Sequence, residues 1–296
     1  MPNSMSNYSI DNYEDLYTND PYEDSREEQI EALRDKDIKK YRVKTIKSGQ
    51  MLECEIYPIW KTSKKDRGKR EKPSRQAQKN LNEKNTKKKV IRLINTNFTS
   101  DDIWATFTYD KEYLPEDPDQ AKRDMQNYIR RLSRYIKKNN LPALKYIYVT
   151  EHEEDEAKGK KRVHHHIVMN FRDRDLAEQI WDKGGRTHSR RLQPDDYGLE
   201  GLARYITKDP KSSKRYTTSR NLDKPKVTVA DSKLTKRKAE KIAGDPNIAC
   251  VLFQKLYEGY LFKDLDIKYS DFVSGVYLYV RMRQMDKPQR KRKTKK

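Results

Sequence analysis

Polar positions dominate this chain, and the apolar ones gather in short segments whose spacing reads as structure. "YRVKTIKSGQMLECEIYPIW" (Tyr41–Trp60) alternates on either side of Ser48-Gly49, which predicts a hairpin. After the basic loop "SKKDRGKREKPS", the stretch "RQAQKNLNEKNTKKKVIRLI" is polar and weakly helical. "DIWATFTYD" (Asp102–Asp110) is rich in aromatic and β-branched residues and predicts a strand. Met125, Tyr128, Ile129, Leu132, Tyr135 and Ile136 then fall at helical spacing, with Asp117 or Asp119 available as a cap beside Pro118. "KNN" followed by Pro142 ends that helix. Two further strands follow, "ALKYIYVTEH" and "RVHHHIVMNF", joined by the polar, glycine-containing "EEDEAKGKK" as an antiparallel hairpin. Leu199, Leu202, Ala203 and Ile206 predict a helix that Pro210 terminates. "DSKLTKRKAEKIA" reads as a helix ending at Gly244, and "YLYVRMR" as a strand.

Composition narrows what such elements build. Only 33% of the 296 residues are hydrophobic, 38% are charged, and the mean hydropathy is −1.20, so part of the chain is expected to stay outside any packed core. The formal net charge of +20 favours a polyanion as partner. Residues 1–36 run against that trend, with ten acids and three bases, and read as an acidic disordered arm. Residues 286–296 form a basic tail. The lone cysteines Cys54 and Cys250 form no metal motif or disulfide framework and suit a reducing cytosol. The N-terminus lacks the basic start and apolar run of a signal peptide, and no apolar stretch approaches the ~18 residues of a membrane span.

Three of the five histidines stand together at His164, His165 and His166. Side chains alternate faces along a strand, so His164 and His166 share one face and His165 takes the other. A hairpin centred between Ala157 and Lys158 sets Glu151 directly opposite His164, on the same face. Two imidazoles and a carboxylate suit a borderline divalent ion with open positions for water or phosphate. Packing of the histidines against aromatics in a sheet is the plainer alternative. On this reading His165→Leu is expected to be tolerated. Tyr205 and Lys208, three residues apart in the helix predicted from Leu199 to Ile206 and ended by Pro210, are expected on one face, a nucleophile beside a cation for phosphate.

Four motifs in register, and a fifth segment after them, carry a resemblance. "RVHHHIV" is similar to the His-hydrophobe-His core of HUH endonucleases, with His165 in the hydrophobe position. "ATFTYD" resembles the first motif of rolling-circle replication initiators, "YVTEH" their glutamate-bearing strand, and "ARYITK" their tyrosine helix. "SRNLDKP" (Ser219–Pro225) resembles the segment after that helix in phage and plasmid initiators of this group. Where some relatives carry an earlier tyrosine, this chain has Gly201, which implies a one-tyrosine enzyme.

The resemblance implies an α+β fold, HUH/RRM-like (ferredoxin-like): an antiparallel sheet of about five strands with packed helices. It implies metal-dependent nicking and rejoining of single-stranded DNA, at an origin or hairpin, through a 5′-phosphotyrosyl link. Tyr205 and Lys208 would be catalytic, and His164, His166 and Glu151 would hold Mg²⁺ or Mn²⁺. A relaxase or transposase shares this chemistry, and a non-catalytic nucleic-acid-binding protein is the remaining alternative. The regions expected are the arm 1–36, a basic extension 37–100 (hairpin plus helix), the endonuclease core 101–228, a helix and strand region 229–285, and the tail 286–296. No GxxxxGK[ST] motif is present, so a host helicase and polymerase are expected as partners, in the bacterial cytosol and away from any membrane.

Overall fold

The computed structural model describes residues 38–60, 76–155, 160–208, 216–269 and 275–285. The acidic arm, the basic loop Ser63–Ser74, the centre of the histidine hairpin and the basic tail lie outside the described residues. The chain is α+β. Six α-helices and ten strands are described, the strands in two antiparallel five-stranded sheets. Two compact units hold one sheet each.

One unit contains residues up to Asn82 and from Lys226 onward. Strands β1 (Ile38–Ser48) and β2 (Met51–Trp60) form the expected hairpin, with Gly49 at positive φ in its turn. They continue into β8 (Lys226–Ala230), β10 (Val276–Gln284) and β9 (Tyr260–Tyr269) in the order β8-β1-β2-β10-β9. Helices α5 (Lys236–Gly244) and α6 (Asn247–Leu256) put Ala239, Ile242, Ala249 and Phe253 onto Tyr41, Leu52, Cys54, Leu278 and Val280. Residues 37–100 and 229–285, read as separate regions from the sequence, thus share this sheet through β1, β2, β9 and β10.

The other unit runs from Glu83 to Pro225. Its sheet has the order β6-β3-β5-β4-β7, with β3 (Ile103–Thr108), β4 (Tyr146–Asp155), β5 (Lys160–Met169), β6 (Thr187–Arg191) and β7 (Thr217–Thr218). β5 is the central strand. Helix α2 (Pro118–Lys138) covers one face with Met125, Tyr128, Leu132 and Ile136 against Ile103, Ala105, Phe107, Ile167 and Met169, and the short α3 (Arg174–Gln179) adds Ala177 to that core. Full burial of each such side chain stabilises the fold by about 1.5–3 kcal/mol. Asp117 caps α2, its carboxylate accepting from the Gln120 amide at 2.6 Å, with Pro118 in the first turn. At the other end Asn140 adopts φ 52°, and the Leu141 amide donates to Ile136 O, a Schellman stop.

The second face is covered by α1 (Gln76–Asn97) and α4 (Glu200–Ile206). Val90, Ile91, Ile94, Leu199, Ala203 and Ile206 bury Ile147 and Val168 there. The polar stretch that looked weakly helical is therefore a 22-residue helix. Its residues from Glu83 on belong to this unit, although the sequence reading placed them in an extension before residue 101.

Candidate metal and nucleophile site

The face that α1 and α4 cover is incomplete, and the uncovered end carries the histidines. Register fixes them there. In β5, His164 pairs across the ladder with Glu151 of β4 and with Thr108 of β3, while His166 pairs with Val149 and Thr106. Directly opposed residues point the same way, so Glu151, His164, His166 and Thr106 share one face.

The carboxylate of Glu151 stands between the two imidazoles. Its Oε2 is 3.0 Å from His164 Nε2 and 3.7 Å from His166 Nε2. The three candidate ligand atoms lie within 4.8 Å of one another. Ligands about 2.1 Å from one ion stand roughly 3.0 Å apart at a right angle and roughly 3.4 Å at the tetrahedral angle, so this donor set fits a divalent ion. Burial pushes the Glu151 carboxyl up, but the hydrogen bonds to His164 and His166 more than offset it and hold it near pKa 2. Glu151 is ionised at neutral pH, as a ligand must be. Access comes from one side: His166 is 3% exposed at its side chain, His164 16% and Glu151 21%.

The neighbours orient the imidazoles. His166 Nδ1 is 2.9 Å from Thr106 Oγ1, which leaves Nε2 as the nitrogen that faces Glu151. His165 lies on the opposite face, as expected, but its surroundings are polar. The ring is fully buried, with Nδ1 2.9 Å from Thr150 Oγ1 and Nε2 2.8 Å from the Tyr109 hydroxyl. That hydroxyl also donates to Asp124 at 3.4 Å. Desolvation lowers the His165 pKa to about 3 and keeps the ring neutral. Leucine at this position would take one hydrogen-bond partner from each of two half-buried hydroxyls, and would leave Tyr109 its bond to Asp124.

Tyr205 comes to the site on α4. Ala203 and Ile206 anchor that helix in the core, and the Asn95 side chain of α1 accepts the Leu199 amide at 2.7 Å at its start. Tyr205 is 37% exposed, its ring centroid 5.3 Å from that of His166 and 6.0 Å from that of Trp104. The helix ends at Ile206, and the Thr207 hydroxyl donates back to Ala203 O as its cap. Lys208 is exposed and follows directly, its amide donating to Tyr205 O at 3.3 Å.

Sequence reasoning passed over Trp104, Thr106 and His188. Thr106 is ladder partner to both His166 and His188, which brings the fifth chain histidine onto the same face. The alternation of Trp104, Thr106 and Thr108 against the buried Ile103, Ala105 and Phe107 was the available signal. For His188 there was none, because "THSRR" has no apolar alternation.

One comparison with known proteins bears on this geometry. Residues 102–210 match the family model described as replication-associated protein ORF2/G2P. The matched stretch spans β3 to the turn after α4 and so contains Glu151, His164, His166 and Tyr205. It supports a role in starting replication. No curated protein and no solved structure matches the chain. No described helix is long and apolar enough to cross a membrane.

Proposed function

We propose that the Glu83–Pro225 unit is a metal-dependent single-strand DNA nickase that initiates rolling-circle replication, with Tyr205 as its nucleophile. The observation that carries this reading is one phenol beside one carboxylate–imidazole cluster on the same sheet face, at 5.3 Å between the Tyr205 and His166 rings. The match of residues 102–210 to replication-associated proteins supports replication over mobilisation or transposition as the task.

Glu151, His164 and His166 would hold Mg²⁺ or Mn²⁺, which supplies Lewis-acid polarisation of a non-bridging phosphate oxygen. The Tyr205 oxygen attacks phosphorus and gives up its proton. The bond from phosphorus to the 3′-oxygen breaks, and that oxygen takes a proton and leaves as a 3′-hydroxyl. A 5′-phosphotyrosyl link remains, and it conserves the phosphodiester for later rejoining. Lys208, three residues on, offers a cation to the phosphate. A host helicase and polymerase would extend the freed end.

Incubation of labelled single-stranded DNA with the protein and Mn²⁺, followed by a denaturing gel and peptide mapping, tests this. A DNA adduct on the Tyr205 peptide is expected. No adduct under any divalent metal would reduce the chain to a nucleic-acid-binding protein.

A further inference from the structure

Trp104 and His188 form an aromatic step that the nicking reaction leaves unused. Both project from the face that holds the metal cluster, Trp104 from β3 and His188 from β6, the edge strand. Their rings are offset-parallel, with centroids 6.4 Å apart and planes inclined by 22°. His188 is exposed and Trp104 half-buried. The Trp104 indole also meets Tyr205 edge-on and lies 6.4 Å from the His166 ring, so one edge of the step borders the nucleophile.

Arg190 orients the outer ring. Its Nε donates to His188 Nε2 at 2.9 Å, which holds the ring in place. An exposed, oriented aromatic pair beside a guanidinium, in a chain of net charge +20, has the chemistry of a base-stacking platform. Thr106 pairs with both His166 and His188, which places His188 two strand spacings, roughly 10 Å, across the sheet from His166, with Trp104 on the strand between.

We propose that Trp104 and His188 stack a base of single-stranded DNA next to the phosphate that Tyr205 attacks, and so set the register of the strand in the site. The proposal rests on the nicking reading for its substrate. Its chemistry is separate: stacking uses the π-face that every base has, needs no metal, and is insensitive to salt. A phosphate contact behaves in the opposite way.

The test uses the full chain in EDTA, where binding is measured without cleavage. Fluorescein-labelled oligothymidylate and a deoxyribose-phosphate chain of the same length without bases are titrated by anisotropy over a range of salt. His188 is exposed, so His188→Ala leaves the core untouched. The expected result is oligothymidylate binding weaker by about 5- to 100-fold. The log–log salt slope and binding of the abasic chain should be unchanged, and His188→Tyr should restore affinity. Wild-type affinity for oligothymidylate in His188→Ala overturns the proposal, as does an equal loss on the abasic chain, which would mark a phosphate contact. Failure of the enzyme reading is seen separately. A missing Tyr205 adduct with the His188 effect intact leaves the platform standing, and a Tyr205 adduct without the His188 effect leaves only the nickase.

Discussion

Thr106 Oγ1 lies 2.9 Å from His166 Nδ1, on the side of the ring away from Glu151. When Nε2 serves as a ligand, Nδ1 carries the proton and donates to the threonine oxygen. The contact selects that tautomer and holds the ring plane. Thr106→Val keeps the shape and removes the acceptor, so Mn²⁺ affinity should fall about 10- to 100-fold. Thr106→Ser should retain it. Calorimetric titration with the metal alone checks both.

Glu151→Gln isolates the ligand role from packing. The amide is nearly isosteric but neutral, and it replaces the carboxylate that faces both imidazoles. Cleavage should be lost, together with the rise in melting temperature that Mn²⁺ gives a protein binding it only when folded. His164→Ala should behave alike. His166→Ala should also lose cleavage, but with some loss of stability, since its side chain is only 3% exposed. A Glu151→Gln protein that still shows the metal-induced shift would remove Glu151 from the ligand set.

Tyr205→Phe removes one hydroxyl from a side chain that is 37% exposed, so the fold should be unaffected. The covalent adduct should vanish while metal and DNA binding persist. Tyr197 lies in the turn before α4, and Tyr216 packs against the core that α4 shares. An adduct peptide containing either of them would sink the assignment.

His165 gives a pH dependence of stability. Burial lowers its folded pKa from 6.5 to about 3. Between those values the unfolded chain binds a proton that the folded chain does not, so stability rises with pH across that window. The contribution is complete above about pH 6.5 and is lost progressively as the pH falls toward 3. His165→Leu should flatten this slope across that window, while costing about 1 kcal/mol at neutral pH for the hydrogen bonds lost from the half-buried Thr150 and Tyr109 hydroxyls. Melting temperatures of both proteins across the range decide it.

Electrostatics should govern affinity for single-stranded DNA. The log of the binding constant should fall with the log of salt at a slope near −0.7 per phosphate neutralised. Arg190→Ala should make that slope shallower if its guanidinium also meets phosphate, whereas His188→Ala should not. Parallel salt titrations separate the two.

Short-range pattern determined a good deal of this protein. The period of two in "RVHHHIV" put His164 and His166 on one face and His165 on the other, and hairpin register set Glu151 against His164. The period near four from Met125 to Ile136, with a cap and a proline before it, determined α2. These features are local: backbone geometry orients each side chain relative to its neighbours in sequence.

What only the tertiary structure decided involves partners far apart in the chain. The sheet shared by β1, β2, β9 and β10 joins residues more than two hundred positions apart, and no local period records such a pairing. α1 is too polar to announce itself, and it is held through Val90, Ile91 and Ile94 in the core beneath α4. His188 reaches the site only because β6, a polar edge strand, pairs with β3. The polarity around His165 follows from Tyr109, 56 residues away, whose hydroxyl occupies space that alternation alone would assign to an apolar contact. Sequence period fixes which way a side chain points; the fold alone supplies what it meets there.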